Sequence, residues 1–400
     1  MNFILFLAKR YLSRTGVQGL RSWLIIVSTV GIFLASFMVL VALGVLAGYQ
    51  RVYHKAVLGF SAHLIIFNSE GLTDGDQQEI TGFLKQSKMA NVFSPYHFYE
   101  TIAPSEDGPK PIIFKGVDET KMRQMYPIEF EDLPAGSSNN VFVGKDVLVR
   151  QPEPTSQGQL NYLTNPHLGS ERKTTLKSMP LQGIFKSGYY DFDYRFVIMP
   201  LKFMHATFFD VPLVSGIEVR LDDIKELVPL RDAFLDHFGG RFAVMTWDEM
   251  NASLLNALKI DRTVVWTISF LIVLIACLNI FGFNFLFFVQ RKREFLILSA
   301  LGLSLPKSKD LLALLSVVLG GVAAALGALA AFLAMFWMTR GAGIPLDARV
   351  YYVEKVPVYF ECVWFSLFFL LVILLCFITS RVAGKVVISR YVTSTLKDSA

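Results

Sequence analysis

The 400-residue chain is poor in the residue patterns from which catalytic and metal centres are built. It has three cysteines, Cys277, Cys362 and Cys376, all in or beside apolar runs, so no disulfide framework supports residues 49–262. In apolar surroundings a cysteine reads as a small packing residue. The histidines (His54, His63, His97, His167, His205 and His237) are scattered, with none of the His-Glu-x-x-His or Cys-x-x-Cys spacing that gathers ligands around a metal. The Val-Gly-Lys-Asp at 143–146 is not a Gly-x-x-x-x-Gly-Lys-Ser/Thr phosphate cradle, and no Gly-x-Ser-x-Gly elbow occurs. The sequence therefore offers no catalytic residue, no metal ligand and no bound cofactor.

Charge is missing from four long stretches: 23–48, 263–290, 311–339 and 362–380. Each is close to or longer than the roughly 20 apolar residues that cross ~30 Å of hydrocarbon as a helix. Without an ionisable side chain inside them, a proton relay or an ion path has nothing to work with. Energy for work must then come from a partner. The first run is too long for a cleaved signal segment and lacks a small-residue cleavage site, which makes it a permanent span.

What charge there is marks the topology. Lys9, Arg10, Arg14 and Arg21 precede the first run; Arg291, Lys292, Arg293, Lys307 and Lys309 lie between the second and third; Arg381, Lys385, Arg390 and Lys397 follow the fourth. The segment 340–361 mixes both signs. Lys and Arg in short flanking segments stay on the cytoplasmic side, so both termini and the middle loop are expected there, with residues 49–262 outside. No dense basic patch with interleaved aromatics points to nucleic acid.

The resulting fold class is an α-helical membrane protein with four transmembrane helices and a large mixed α+β periplasmic domain inserted between helices 1 and 2. Its expected segments are a cytoplasmic interfacial leader (1–22), helix 1 (23–48), the domain (49–262), helix 2 (263–290), a cytoplasmic loop (291–310), helix 3 (311–339), a periplasmic loop (340–361), helix 4 (362–380) and a cytoplasmic tail (381–400). In the leader, residues 2–13 combine an apolar face with basic residues, which suggests a helix on the inner leaflet. Within the domain, strand-like runs occupy 62–68, 92–102, 111–116, 141–149, 194–199, 215–221 and 242–246. Helical spacing occupies 74–88 and 222–238, the latter with Ile224, Leu227, Leu230 and Phe234 on one face. Residues 150–180 read as extended loops or a projecting hairpin, and a helix from 248 leads into the second span. In the third span, Ala323, Gly327 and Ala331 form a small-residue face suited to close helix packing.

One cytoplasmic segment stands out, 289–304. Glu294 opens a short amphipathic helix with Phe295, Leu298 and Leu301 three apart; Gly302 suits its C-terminal cap and Pro306 blocks easy continuation. The segment is either a docking element for a soluble subunit or a stub that joins two spans.

Basic residues, Glu, an apolar-rich turn and Leu-Gly in this order resemble the coupling helix of MacB-type ABC transporter permeases. The chain is similar more narrowly to the LolC/LolE family, permease subunits of the lipoprotein-releasing ABC transporter. The resemblance rests on Phe6-Leu-Ala-Lys-Arg-Tyr-Leu-Ser-Arg, on 28–35 (Ser-Thr-Val-Gly-Ile-Phe-Leu-Ala), and on Gly48-Tyr-Gln-Arg-Val with Val57-Leu-Gly-Phe. Phe114-Lys-Gly-Val-Asp and Ile275-Ala-Cys-Leu-Asn-Ile add to it. It implies a non-catalytic membrane subunit that pairs with a second permease subunit, as a homo- or heterodimer. ATP and Mg would be held by a separate LolD-like ATPase. It also implies extraction of lipoproteins from the outer leaflet of the bacterial inner membrane and their transfer to a LolA-like periplasmic chaperone.

The family's coupling-helix positions carry over to Glu294, Phe295, Leu298, Leu301 and Gly302. Its chaperone hook corresponds to 165–177, a few residues shorter here, with Pro166, His167, Leu168, Arg172 and Lys173. The tail lacks the family's proline after Arg390. Three acyl chains need an apolar surface on leaving the bilayer, at ~0.8 kcal/mol per buried CH₂. The outer halves of spans 1 and 2 offer Phe37, Met38, Leu40, Val41, Val264, Trp266, Phe270 and Leu271 for membrane lipid or the lipoprotein anchor. An FtsX-like mechanical transmitter or a MacB-like efflux subunit of the same superfamily is the alternative.

Overall fold

The computed structural model describes residues 20–105, 108–133, 139–148, 158–164, 175–209, 213–341 and 343–397. In chain order these form α1 (Leu20–Phe60), β1 (Leu64–Leu72), α2 (Asp74–Ser87), β2 (Val92–Ala103), β3 (Lys110–Val117), α3 (Met122–Met125), β4 (Glu129–Asp132), β5 (Phe142–Gly144), β6 (Gln159–Thr164), β7 (Thr175–Pro180) and β8 (Gly183–Lys186). Then follow α4 (Tyr190–Arg195), β9 (Phe196–Pro200), α5 (Leu201–Phe208), β10 (Val214–Arg220), α6 (Leu227–Phe238), β11 (Ala243–Thr246), α7 (Trp247–Met250), α8 (Ala252–Gln290), α9 (Lys292–Ala300), α10 (Leu305–Arg340), α11 (Ala348–Tyr351) and α12 (Cys362–Lys397). The expected leader helix, residues 2–13, lies outside the described residues.

The chain divides into two compact units. One is Gln50–Ala257 with Leu346–Lys355; the other comprises the described parts of Met1–Tyr49, Leu258–Pro345 and Val356–Ala400.

The first unit is built on an eleven-stranded sheet of order β11-β1-β10-β2-β3-β9-β5-β8-β4, to which the β6–β7 hairpin attaches through β2. Pairing is antiparallel except for β3 with β9 and β5 with β8. Alternation along β1 buries Leu64 and Ile66 against Ile217 and Val219 of β10, Ile80 and Leu84 of α2, and Leu230 and Phe234 of α6. A second core gathers Phe114, Val143, Leu160, Val197, Met199 and Met204, and a third Phe60, Tyr126, Phe142, Phe185 and Ile198.

Local chemistry sets the helix ends. Thr73 and Asp76 form a reciprocal capping box at α2, and Gly239 closes α6 in the left-handed region at φ +59°. The helix expected from 222 starts later. The Asp223 carboxylate accepts the Lys225 N–H and holds 224–226 as a 3₁₀ turn, which leaves Ile224 exposed while Leu227, Leu230 and Phe234 are buried. Likewise 194–195 close a helical turn before β9. The Asp193 carboxylate there takes the Ser187 and Gly188 N–H groups at 2.7 and 3.3 Å. Of the loop-or-hairpin alternative for 150–180, the described residues 159–164 and 175–180 pair as antiparallel strands, in register from Gln159↔Pro180 to Thr164↔Thr175.

Leu346–Lys355 belongs to this unit through contacts remote in sequence. Tyr53 donates to the Tyr351 carbonyl at 3.2 Å, the Tyr190 N–H to the Tyr352 carbonyl at 3.1 Å, and Lys145 pairs with Glu354 at 2.5 Å.

In the second unit, α1, α8, α10 and α12 supply four helices long and apolar enough to cross a membrane. Ala323 and Ala331 are fully buried, and a Cβ at Gly327 would lie 2.6 Å from the Phe33 carbonyl oxygen, so the small-residue face of α10 packs on α1. Cys376 is buried against Gly320 in the same core as Ile32, Leu40 and Ile280.

Candidate functional site

The connection between α8 and α10 folds as a capped short helix. At its start Arg291 pairs with Glu294 at 3.1 Å and lies 5.3 Å over the Phe287 ring. Phe295 is 4 % exposed, with its ring 5.1 Å from Phe288 and clustered with Leu311, Leu312 and Leu315 of α10. At the far end the Leu301 and Leu303 N–H groups donate to the carbonyls of Ile297 and Leu298 at 3.0 and 2.9 Å. This six-to-one closure needs a positive φ between its donors, and Gly302 supplies it at +95°. Pro306 then sits in the first turn of α10.

The expected single stripe of Phe295, Leu298 and Leu301 divides. Phe295 is buried, Leu298 half-buried and Leu301 79 % exposed. Six residues advance a helix by about 240° beyond full turns, so Phe295 and Leu301 cannot share a face. Ile297, which the three-residue spacing does not select, is 62 % exposed. It lies four residues before Leu301, and the two form the apolar pair that α9 presents outward.

Beside this helix the spans are joined by a polar knot. Asn284 Oδ1 accepts from Ser316 Oγ at 2.8 Å and from Ser380 Oγ at 3.1 Å, while its Nδ2 donates to the Ile280 carbonyl at 2.8 Å. All three side chains are buried. One amide thus ties α8 to α10 and α12. Sequence reading missed these residues; their signal was polarity within otherwise apolar runs.

The proposed lining residues fall in three environments. Met38, Val264, Trp266, Phe270 and Leu271 are exposed, and Phe37 and Val41 sit half-buried at the edge of the helix core. Leu40 is a correction: it is 1 % exposed within that core and presents nothing outward. Two residues turn a helix by about 200°, so Met38 and Leu40 point to opposite sides. Trp266 meets Trp364 edge to face at 5.8 Å.

The hook residues Pro166, His167, Leu168, Arg172 and Lys173 lie outside the described residues. The strands flanking them are described, and Leu176 on β7 is 61 % exposed. Among the described residues no three His, Cys, Asp or Glu side chains form a group suited to a metal ion.

Comparison with known proteins adds three observations. Residues 266–392 match the family model of the FtsX-like permease C-terminal region. The chain is 22 % identical over 308 residues to the lipoprotein-releasing system transmembrane protein LolC of Xylella fastidiosa, covering 74 % of this chain and 72 % of that one. It is 23 % identical over 308 residues to LolC of Neisseria meningitidis serogroup B, covering 74 % and 73 %. Among solved structures, the extracellular domain of the ABC-type transporter YknZ from Gram-positive bacteria aligns with 46 % of this chain and 99 % of its own at 14 % identity, with a TM-score of 0.30. The periplasmic region of MacB from Actinobacillus actinomycetemcomitans aligns with 52 % and 99 % at 13 % identity, with a TM-score of 0.32. The permease match over the last three spans and the LolC matches over most of the chain make this protein similar to FtsX-like permeases and to LolC.

Proposed function

We propose that this chain is the permease subunit of an ABC-type lipoprotein-releasing complex in the bacterial inner membrane. It takes lipoproteins from the outer leaflet and passes them to a periplasmic chaperone. The observation that carries the reading is the joint match to the FtsX-like permease region and to LolC relatives over 74 % of the chain. The charge pattern supports cytoplasmic termini and a periplasmic sheet domain inserted between α1 and α8.

In this reading α9 docks on a separate ATPase that binds ATP and Mg, and Ile297 and Leu301 enter its surface. Closure of the ATPase moves α9. The Phe295 cluster carries this to α10 and the Asn284 knot to α12. A second permease subunit completes the membrane core. Exposed Met38, Val264, Phe270 and Leu271 give the acyl chains an apolar wall, so the chains pass from lipid to protein without meeting water, where each CH₂ would cost ~0.8 kcal/mol. The segment 165–177 is the hook offered to the chaperone.

The test is reconstitution of the chain with its ATPase in proteoliposomes containing a labelled triacylated lipoprotein and soluble chaperone. ATP-dependent appearance of label in the soluble fraction is expected. An assembled complex that hydrolyses ATP but leaves all label in the bilayer would refute the proposal.

A further inference from the structure

The end of α1 has an unusual cap. Helices commonly close on a local left-handed glycine that satisfies their last carbonyls, but Gly59 is not in that region, and the chain passes from Phe60 into β1 within three residues. The carbonyls of Leu58, Gly59 and Ser61 accept instead from Arg220 Nη2 at 2.9, 3.3 and 3.1 Å. Arg220 Nε donates to the Met125 carbonyl at 2.5 Å. The capping cation comes from the last residue of β10, some 160 positions away in sequence. A guanidinium there also complements the negative end of the helix dipole.

The strand that supplies this cap is itself pinned. Two residues back, and so on the same face of β10, Glu218 pairs with Lys115 of β3 at 2.7 Å, both side chains 4 % exposed, and accepts the Tyr126 hydroxyl. The turn leaving α1 is held as well. The His63 N–H donates to the Val219 carbonyl at 3.0 Å, and His63 Nδ1 accepts the Leu221 N–H at 3.0 Å.

We propose that Arg220 is a positioning residue that locks the end of α1 to β10, so that a displacement of α1 reaches the sheet instead of being absorbed in the turn at 61–63. A local glycine cap would satisfy the same carbonyls without tying the helix to a distant strand; the long-range cap does both. The inference rests on the permease reading for its consequence, which is delivery of motion to the lipoprotein- and chaperone-handling domain.

The experiment compares Arg220→Ala and Arg220→Lys with the parent in the assembled complex. Spin labels are placed at exposed Lys55 and Lys225 after the native cysteines are replaced by serine. The parent should give one narrow label-to-label distance distribution, Arg220→Ala a broad one, and Arg220→Lys, which keeps the charge and part of the donor set, an intermediate one. Lipoprotein released per ATP hydrolysed should fall about tenfold in Arg220→Ala while ATP turnover stays within about twofold, with partial recovery in Arg220→Lys. An unchanged distribution, or a parental yield per ATP despite broadening, overturns the proposal. If Arg220→Ala does not assemble, Arg220→Lys decides alone: its yield must fall in step with its broadening. If the parent complex releases no lipoprotein, the permease reading fails, while the distance measurement still reports on the lock.

Discussion

The Ser316 hydroxyl on α10 donates to Asn284 Oδ1 on α8 at 2.8 Å, in the interior of the four-helix unit. Ser380 of α12 shares the same acceptor, so three helices depend on one amide. Replacing Asn284 by Leu keeps approximate volume but removes the acceptor both hydroxyls share, leaving Ser316 the Leu312 carbonyl at 3.0 Å and Ser380 only the Ser316 hydroxyl at 3.3 Å. The expected cost is about 1–2 kcal/mol in an apolar medium, read as a lower unfolding midpoint of the detergent-solubilised chain. Ser316→Ala should cost less, because Ser380 still reaches the amide. Equal midpoints for Asn284→Leu and the parent would show that the knot holds nothing.

The division of α9 into a buried and an exposed side predicts opposite phenotypes for neighbouring residues. Ile297→Asp and Leu301→Asp should leave folding intact but abolish copurification of the ATPase, since each puts a charge on the outward pair. Phe295→Ala removes a ring from a packed cluster and should cost about 3 kcal/mol of stability. Gly302→Val forces a β-branched residue to φ +95° and should cost about 1–3 kcal/mol locally, loosening α9. Should Ile297→Asp still bind the ATPase as tightly as the parent, α9 would be only a connector.

Much of this arrangement was legible in the residues. Charge-free length alone marked α1, α8, α10 and α12, because hydrocarbon thickness imposes a fixed minimum of apolar residues. Their ends were not: α1 continues to Phe60 through Arg51, His54 and Lys55, since helical hydrogen bonding does not stop where the apolar run does. β4, β8 and α5 are too short for a periodic signal, and β8 needs its partners β4 and β5 to define it. Ile297 was missed because spacing from Phe295 presumed one apolar face where there are two. The Leu346–Lys355 contacts link residues as far apart as Lys145 and Glu354, and nothing local encodes such a pairing.

That Lys145–Glu354 pair gives a further expectation. The hydrogen bond between them raises the lysine pKa and lowers that of the glutamate, yet both side chains are more than one-third exposed. Its contribution should therefore stay within about 0.2–1 kcal/mol and shrink with added salt. Glu354→Gln should barely move the unfolding midpoint while speeding amide exchange at 346–355. A drop of several kilocalories would mean that the pair, and not the Tyr53 and Tyr190 hydrogen bonds, holds the loop.

The turn after α1 makes stability depend on pH through His63. Burial, aided by the Arg220 charge, pushes its pKa down from 6.5 to about 4. Its Nδ1 must stay unprotonated to accept the Leu221 N–H. Below about 6.5 the unfolded chain takes up a proton that the folded chain refuses until about 4. Stability from this group is therefore complete above 6.5 and declines as pH falls toward 4. His63→Asn keeps an acceptor for Leu221 without titrating, so its unfolding midpoint should fall less over that interval. Parallel curves for variant and parent would exclude His63 as the source.

The last expectation concerns the acyl wall. Met38 and Leu271 are 57 % and 50 % exposed, whereas Leu40 is buried. A carboxylate at Met38 or Leu271 would confront an acyl chain with a charge costing about 2.5–3.5 kcal/mol at bilayer depth by insertion scales. It would leave the helix core untouched. Met38→Asp combined with Leu271→Asp should therefore cut photo-crosslinking of a triacylated lipoprotein by more than tenfold, given two such penalties at about 1.4 kcal/mol per tenfold. The ATPase should still copurify. Leu40→Asp should behave differently, lowering the yield of folded protein before any substrate is added. Parental crosslinking in the double variant would mean that the anchor travels along another surface, and that these side chains face only lipid.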